Sequence, residues 1–206
     1  MIRFTDKDRQ KITTAIHGAE RNTSGEFVAV VAHASDHYTA VALFWAAGLA
    51  LLVPGVLLLS PLHLKFIHIY ELQLLIFVGL VLLFEFVPSL HLALVPKAVK
   101  HQRASWLAHA QFYEQGVHLT RHHSGVLFFV SLAERYVEVV ADKGIHEKLG
   151  DEHWRLVVDK FLSHVRRDEI TEGFVAAITA CGAAMAEHYP AGPDDSDELS
   201  DGLIEI

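Results

Sequence analysis

Two long apolar runs interrupt a chain whose remaining segments alternate between amphipathic and short β-branched stretches. Val41–Leu59 (VALFWAAGLALLVPGVLLL) holds 19 residues without a charge. Leu72–Val95 is nearly as apolar, broken by Glu85 and His91. At about 1.5 Å rise per residue a helix of this length covers roughly 28 Å, enough to cross a bilayer core. Only Ser60–Glu71 separates the two runs. The pattern therefore predicts a helical hairpin that leaves and re-enters the membrane on one side, with both flanks of the chain in one compartment.

The flanks read as soluble structure. Thr5 precedes Asp6 and Asp8 in the manner of a helix N-cap with acids in the first turn, and Ile12, Ala15, Ile16 and Ala19 follow at helical spacing. Ser24-Gly25 signals a turn. Glu26–His33 is a near-continuous β-branched run, as expected of a strand covered on both faces. After Pro96 a helix is expected from Lys97 to about Gln115, with Val99, Trp106, Leu107 and Ala110 on its apolar side. Gly125–Leu132 and Tyr136–Asp142 read as two strands joined near Ala133-Glu134. Gly144 and Gly150 punctuate the next loop, and Gly144 is expected to supply a positive φ after Asp142. Asp151 then caps an amphipathic helix carrying Trp154, Val157, Val158, Phe161, Leu162 and Val165. A last helix, from about Glu169 to His188, puts Phe174, Ile178, Cys181 and Met185 on one face, and Pro190 ends it.

The predicted fold class is α/β: a small α/β/α sandwich with a three-stranded sheet and an inserted two-helix transmembrane hairpin. Residues 1–40 and 96–190 form the two parts of one domain. Residues 41–95 form the hairpin, with spans at 41–59 and about 72–95. Residues 191–206 are expected to be a disordered acidic tail. Its final Leu203-Ile204-Glu205-Ile206 is apolar enough to add a strand or enter a groove.

Charge and cysteine content narrow the picture. The tail carries Asp194, Asp195, Asp197, Glu198, Asp201 and Glu205 and no base, so most of the formal charge of −8 sits there. No basic stripe exists to neutralise phosphates, which argues against a nucleic-acid partner. The single cysteine, Cys181, excludes an intrachain disulfide and fits a reducing compartment. The polar start MIRFTDKDRQK does not read as a cleavable signal peptide, which leaves the first span as the insertion signal. Lys65 is the one base between the spans, whereas Lys97, Lys100 and Arg103 follow the second and Arg21 precedes the first. This bias orients both termini to the cytoplasm of a bacterial-type inner membrane. Tyr38, Trp45 and Tyr70 fall near the expected interfaces.

Three stretches resemble the TPM domain, a family found in photosystem II repair proteins and in many bacterial membrane proteins of unknown role. Thr23-Ser24-Gly25-Glu26 followed by FVAVV resembles its glycine turn into the first strand. Ser124-Gly125 followed by VLFFVSLAERYVEVVAD resembles its central hairpin, with Arg135 at the usual basic position. Asp142-Lys143-Gly144-Ile145, a long amphipathic helix and EGFVAAI (Glu172–Ile178) resemble its C-terminal half. Soluble members often carry Asp-Asn before the hairpin glycine and Gly-Tyr-Gly-Leu-Glu after it. Here His123-Ser124 and Ala141-Asp142-Lys143-Gly144-Ile145 stand in those places. The acidic groups associated in the family with calcium binding and acid phosphatase activity are thus reduced to Asp142. The resemblance implies the fold more firmly than any catalysis.

The residues themselves offer scattered chemistry. Of 15 histidines the tightest group is His118, His122 and His123. On a helix His118 and His122 would share a face, and Asp142 would join them if the strand pair folds back toward that loop. The sequence implies no cofactor outright, and a divalent metal at these four residues is the one it leaves room for. A polar loop at the sheet's edge is the plainer reading. Glu85 is the one acid well inside an apolar run, and an intramembrane carboxylate is functional by default. If the span begins near Phe66, Glu85 instead lies at the inner interface. Arg135 could hold an anion or a surface ion pair, and Gly125 and Gly144 serve the turns. Cys181, on an apolar helix face, reads as an inert thiol. No catalytic set converges. The expected function is a membrane-tethered module that assembles or regulates another membrane protein, with a divalent-metal-dependent phosphatase as the alternative.

The topology has a direct test. In a Cys181→Ser background, cysteines placed at positions 20 and 195 should stay unlabelled by an impermeant reagent in intact cells, and one at position 64 should react. The reverse pattern would overturn the orientation.

Overall fold

The computed structural model describes residues 4–59, 61, 65–192 and 198–206. It divides into two compact units, residues 1–35 with 101–206, and residues 36–100.

The first unit is built on a sheet. Helix α1 (Asp6–Glu20) starts as its sequence dictates. The Thr5 side chain accepts from the Asp8 N–H, and Asp8 Oδ2 accepts from the Thr5 N–H at 3.0 Å. The Thr5 hydroxyl, its backbone N–H and Thr171 hold the Asp8 carboxyl below its ordinary value. Strand β1 (Phe27–Ala32) is buried at all six positions. Helix α5 (Lys97–Glu114) and a 3-10 turn at Val117–Leu119 precede β2 (Val126–Ser131), also wholly buried. β3 (Tyr136–Ala141), α6 (Lys143–Val165), α7 (Ile170–His188) and β4 (Leu203–Glu205) follow.

The sheet order is β3-β2-β1-β4. β1 is parallel to β2, with Phe27 opposite Val126, and parallel to β4, with Ala29 opposite Leu203. β2 and β3 are antiparallel, with Val126 opposite Ala141. Alternate residues of β1 and β2 face opposite layers. Phe27, Ala29, Val31, Val126, Phe128 and Val130 pack with Ile12 and Ile16 of α1, Trp154 and Phe161 of α6, and Phe174 and Ile178 of α7. Val28, Val30, Leu127 and Phe129 pack with Ala104, Ala108 and Phe112 of α5. Phe128, Phe161 and Phe174 meet edge to face, with centroids 5.2–5.5 Å apart.

Four expectations are corrected here. The sheet has a fourth strand, because the end of the tail adds β4 beside β1. The expectation of disorder therefore fails for Leu203–Glu205, and the part of the tail at 193–197 lies outside the described residues. Gly144 has no positive φ; it lies inside the first turn of α6, and Gly116 and Gly150 are the described glycines in that region. The stretch read as a loop is the start of α6, capped by Asp142 and kinked at Gly150 (φ 71°, ψ 170°) just before Asp151. On α5 the buried face is Ala104, Ala108 and Phe112. Trp106 is 57% exposed with the Arg103 guanidinium 5.1 Å from its ring centroid. Small alanines, rather than the large tryptophan, let the helix close on the sheet.

The second unit is apolar. α2 (Thr39–Leu58) and α3 (Phe66–Phe86) pack through Ala42 and Ala46 near the start of one and Phe84 near the end of the other, so they run antiparallel. Pro88 starts a separate short helix, α4 (Pro88–Leu94). The second apolar helix is therefore Phe66–Phe86 rather than 72–95, and it carries Glu71 within it and Glu85 at its end. Their outer faces expose large apolar side chains, among them Leu51, Leu52, Val56, Leu75 and Phe86. By length and composition three helices among the described residues could cross a membrane: α2, α3 and α7. Of these, α7 commits Phe174, Ile178, Cys181 and Met185 to the core of the first unit.

Phe161 is 1% exposed at the centre of the aromatic cluster. Phe161→Ala should cost about 3–5 kcal/mol in chemical denaturation, whereas Leu156→Ala, at an exposed position of the same helix, should cost well under that.

Candidate functional site

One pole of the sheet gathers the residues that the sequence singles out. There β1 and β2 begin and β3 ends, so the Thr23–Glu26 turn, the 120–125 loop and Asp142 converge. The backbone sets the row: Val126 N–H donates to Glu26 O, and Asp142 N–H donates to Gly125 O, each at 2.9 Å. Glu26, Gly125 and Asp142 thus occupy one register across three adjacent strands.

Asp142 has two tasks. Its Oδ1 accepts from the Lys143 N–H at 2.6 Å, capping α6, and its Oδ2 lies 3.2 Å from His123 Nδ1. The Asp142 side chain is 12% exposed, and that of His123 is 69% exposed. His123 adopts a positive φ of 49°, which turns the loop toward β3. Beneath it Ser124 is fully buried, donating through its hydroxyl to Ser24 O at 3.1 Å and through its N–H to Thr120 Oγ1 at 3.3 Å. Thr23 donates its hydroxyl to Tyr189 O at 2.6 Å and accepts from the Gly25 N–H. This frame of small hydroxyls ties the loop, the turn and the end of α7 together.

Three glycines mark close approaches. A Cβ on Gly125 would stand 2.4 Å from Val117 O, one on Gly144 2.7 Å from His123 O, and one on Gly25 3.1 Å from Ser124 O. The sequence motifs Ser24-Gly25, Ser124-Gly125 and Lys143-Gly144 are thereby explained by space rather than by backbone angle.

The predicted site residues divide. Asp142 and His123 meet. His122 is exposed, and its backbone oxygen lies close to Gly144. His118 goes elsewhere: its ring packs on Tyr113 at 5.0 Å, and its Nδ1 is buried with no hydrogen-bond partner among the described residues. The expected helical pairing of His118 with His122 fails because the 3-10 turn ends at Leu119. Arg135, at φ 53°, is a turn residue at the opposite pole. Glu85 lies in the second unit, exposed near the end of α3.

Two acids were missed by sequence reasoning. Glu26, just ahead of β1, is 7% exposed and accepts from the Glu198 N–H at 3.3 Å. Glu198, in the acidic tail, pairs with Arg121 Nε at 3.2 Å. A glutamate opening an otherwise wholly apolar strand was the available signal. Chemically, the pole offers a carboxylate–imidazole pair, a second buried carboxylate and an arginine already engaged. Cys181 lies in the core away from these groups, and burial pushes its thiol up to about 12, far from a reactive thiolate.

Residues 89–184 match the family model of the TPM domain, so the resemblance seen in the sequence holds over that stretch. No curated protein matches the chain. Among solved structures, the chain is similar to the NMR structure of the BA42 protein from the psychrophilic bacterium Bizionia argentinensis. Identity is 18%, the TM-score is 0.61, and the match covers 98% of this chain and 95% of that one. At that identity the likeness is one of fold.

Two outcomes follow from the packing. Gly125→Ala should lower the unfolding free energy by about 1–3 kcal/mol, measured by urea titration, because the obstructing atom is a backbone carbonyl. Cys181 should resist a thiol reagent in the native protein and react on denaturation; rapid native labelling would contradict its placement.

Proposed function

We propose that the chain is a membrane-anchored TPM-like domain that holds or regulates another membrane protein. The observation that carries this reading is the apolar exterior of α2 and α3. Helices of 20 and 21 residues expose leucines, valines and phenylalanines around their outer faces. Water does not tolerate a surface of that kind, and a bilayer core requires it. With the span at Phe66–Phe86, Glu85 falls at its end, where a carboxylate can reach the interface. Both flanks then lie on one side, in the cytoplasm of a bacterial-type inner membrane, with Lys97, Lys100 and Arg103 beside the exit. A tether fixes the domain close to its partner, so a weak contact suffices.

The competing reading is a divalent-metal-dependent phosphatase, and the Asp142–His123 pair is what favours it. Phosphoryl transfer needs a cation clamp on the phosphate oxygens and a positioned nucleophile. Asp142 spends one oxygen on the α6 cap and the other on His123, and Arg121 is paired with Glu198. The pole is organised to hold itself together.

The detergent-purified protein should release no phosphate from an aryl phosphate with calcium, magnesium, manganese or zinc. Gentle extraction should co-purify a membrane protein that is lost when Glu85 or residues 190–206 are altered. Turnover that survives stringent purification and vanishes in Asp142→Asn would replace this reading with the enzymatic one.

A further inference from the structure

A second cluster of ligand-type residues stands apart from the Asp142–His123 pair. His17 and Glu20 lie one turn apart on α1, hence on the same face. Asp201, two residues ahead of β4, comes to that face, and its Oδ2 meets His17 Nδ1. One donor atom from each of the three lies within 4.8 Å of the other two. Among the described residues this is the one group of three or more His, Cys, Asp or Glu with that spacing.

We propose that His17, Glu20 and Asp201 bind a divalent transition ion of the zinc class, which clasps the C-terminal segment to α1. Three features support this. The donor set is one imidazole and two carboxylates, which suits zinc, cobalt or manganese with a water in the remaining position, whereas calcium takes six to eight oxygens. The Asp201 side chain is 7% exposed, and carboxylates buried that far are paired or coordinate a metal. Glu20 is already oriented, since its Oε1 accepts from the Phe27 N–H at 3.0 Å, the kind of supporting bond that fixes metal-binding carboxylates.

The position gives the ion a role. β4 is three residues long and sits at the sheet edge. It is held by its pairing with β1, by Leu203 and Ile204 packed on the two cores, by the Arg9–Glu205 pair at 2.7 Å and by the bonds that Ile206 exchanges with His33 and Val31. A strand so short is weakly held. An ion bound just before it would join the tail, α1 and the start of β1 at one point, so metal would govern whether the β1 edge is covered.

The test is zinc titration of the full-length chain in detergent by calorimetry, with cobalt absorption as a spectroscopic check and hydrogen exchange read at residues 203–206. The expected result is one zinc per chain and slower exchange of those amides with zinc. Affinity should fall at least about tenfold in both His17→Gln and Asp201→Asn and stay unchanged in His123→Gln. His17 is exposed, so its substitution leaves the core intact, and circular dichroism of the variant confirms folding. Absent zinc binding would overturn the proposal. So would affinity lost in His123→Gln but kept in His17→Gln, or binding that leaves exchange at 203–206 unchanged.

Discussion

The parallel pairing of β1 with β2 is the constraint on which the structure depends. Parallel neighbours cannot be joined by a tight turn and need a crossover connection. Here that connection runs from Ala32 to Val126 and contains α2, α3, α4 and α5. Both strands are buried on both faces, which is why they read as unbroken β-branched and aromatic runs. Loop-closure entropy rises only by about 0.6 kcal/mol per doubling of length, so a long apolar insertion there is affordable. It also means that the first thirty-odd residues depend on a segment almost a hundred positions away to form their sheet.

The pole where these strands begin is crowded for the same reason. With Glu26, Gly125 and Asp142 in one row, three chain segments meet end-on, and side chains are excluded at Gly25, Gly125 and Gly144. Hydroxyls from Thr23, Thr120 and Ser124 then satisfy the turn backbones. Asp142 caps α6 while facing His123, so one carboxylate links the end of β3, the next helix and the loop before β2. Local geometry and candidate chemistry are inseparable there.

Much of the fold was legible because it rests on periodicity. The phase of α6 came from Trp154, Val157 and Phe161, and all three are buried. The strands of β1 to β3 and the first apolar helix followed from local composition. What failed needed tertiary information. β4 belongs to an acidic tail, and only an available β1 edge makes Leu203–Glu205 a strand. The face of α5 differs from the expected one because small side chains set the approach to the sheet: Ala104 and Ala108 are fully buried and Trp106 stays outside. His118 diverges from His122 because a 3-10 turn, invisible in the sequence, ends between them. Glu26 and Asp201 were overlooked because each acid acquires its neighbours only from distant segments.

The claim that an apolar connection resides in lipid while its flanks close one sheet outside it is tested most directly by hydrogen exchange in nanodiscs across a urea series. The amides of Val28–Val31 and Leu127–Val130 should lose protection together as the sheet unfolds. Those in the middle of α2 and α3 should stay protected at the same urea concentration, because lipid rather than tertiary packing shields them. Free exchange in α2 and α3 in lipid before urea is added would contradict it, as would sheet strands that open independently of one another.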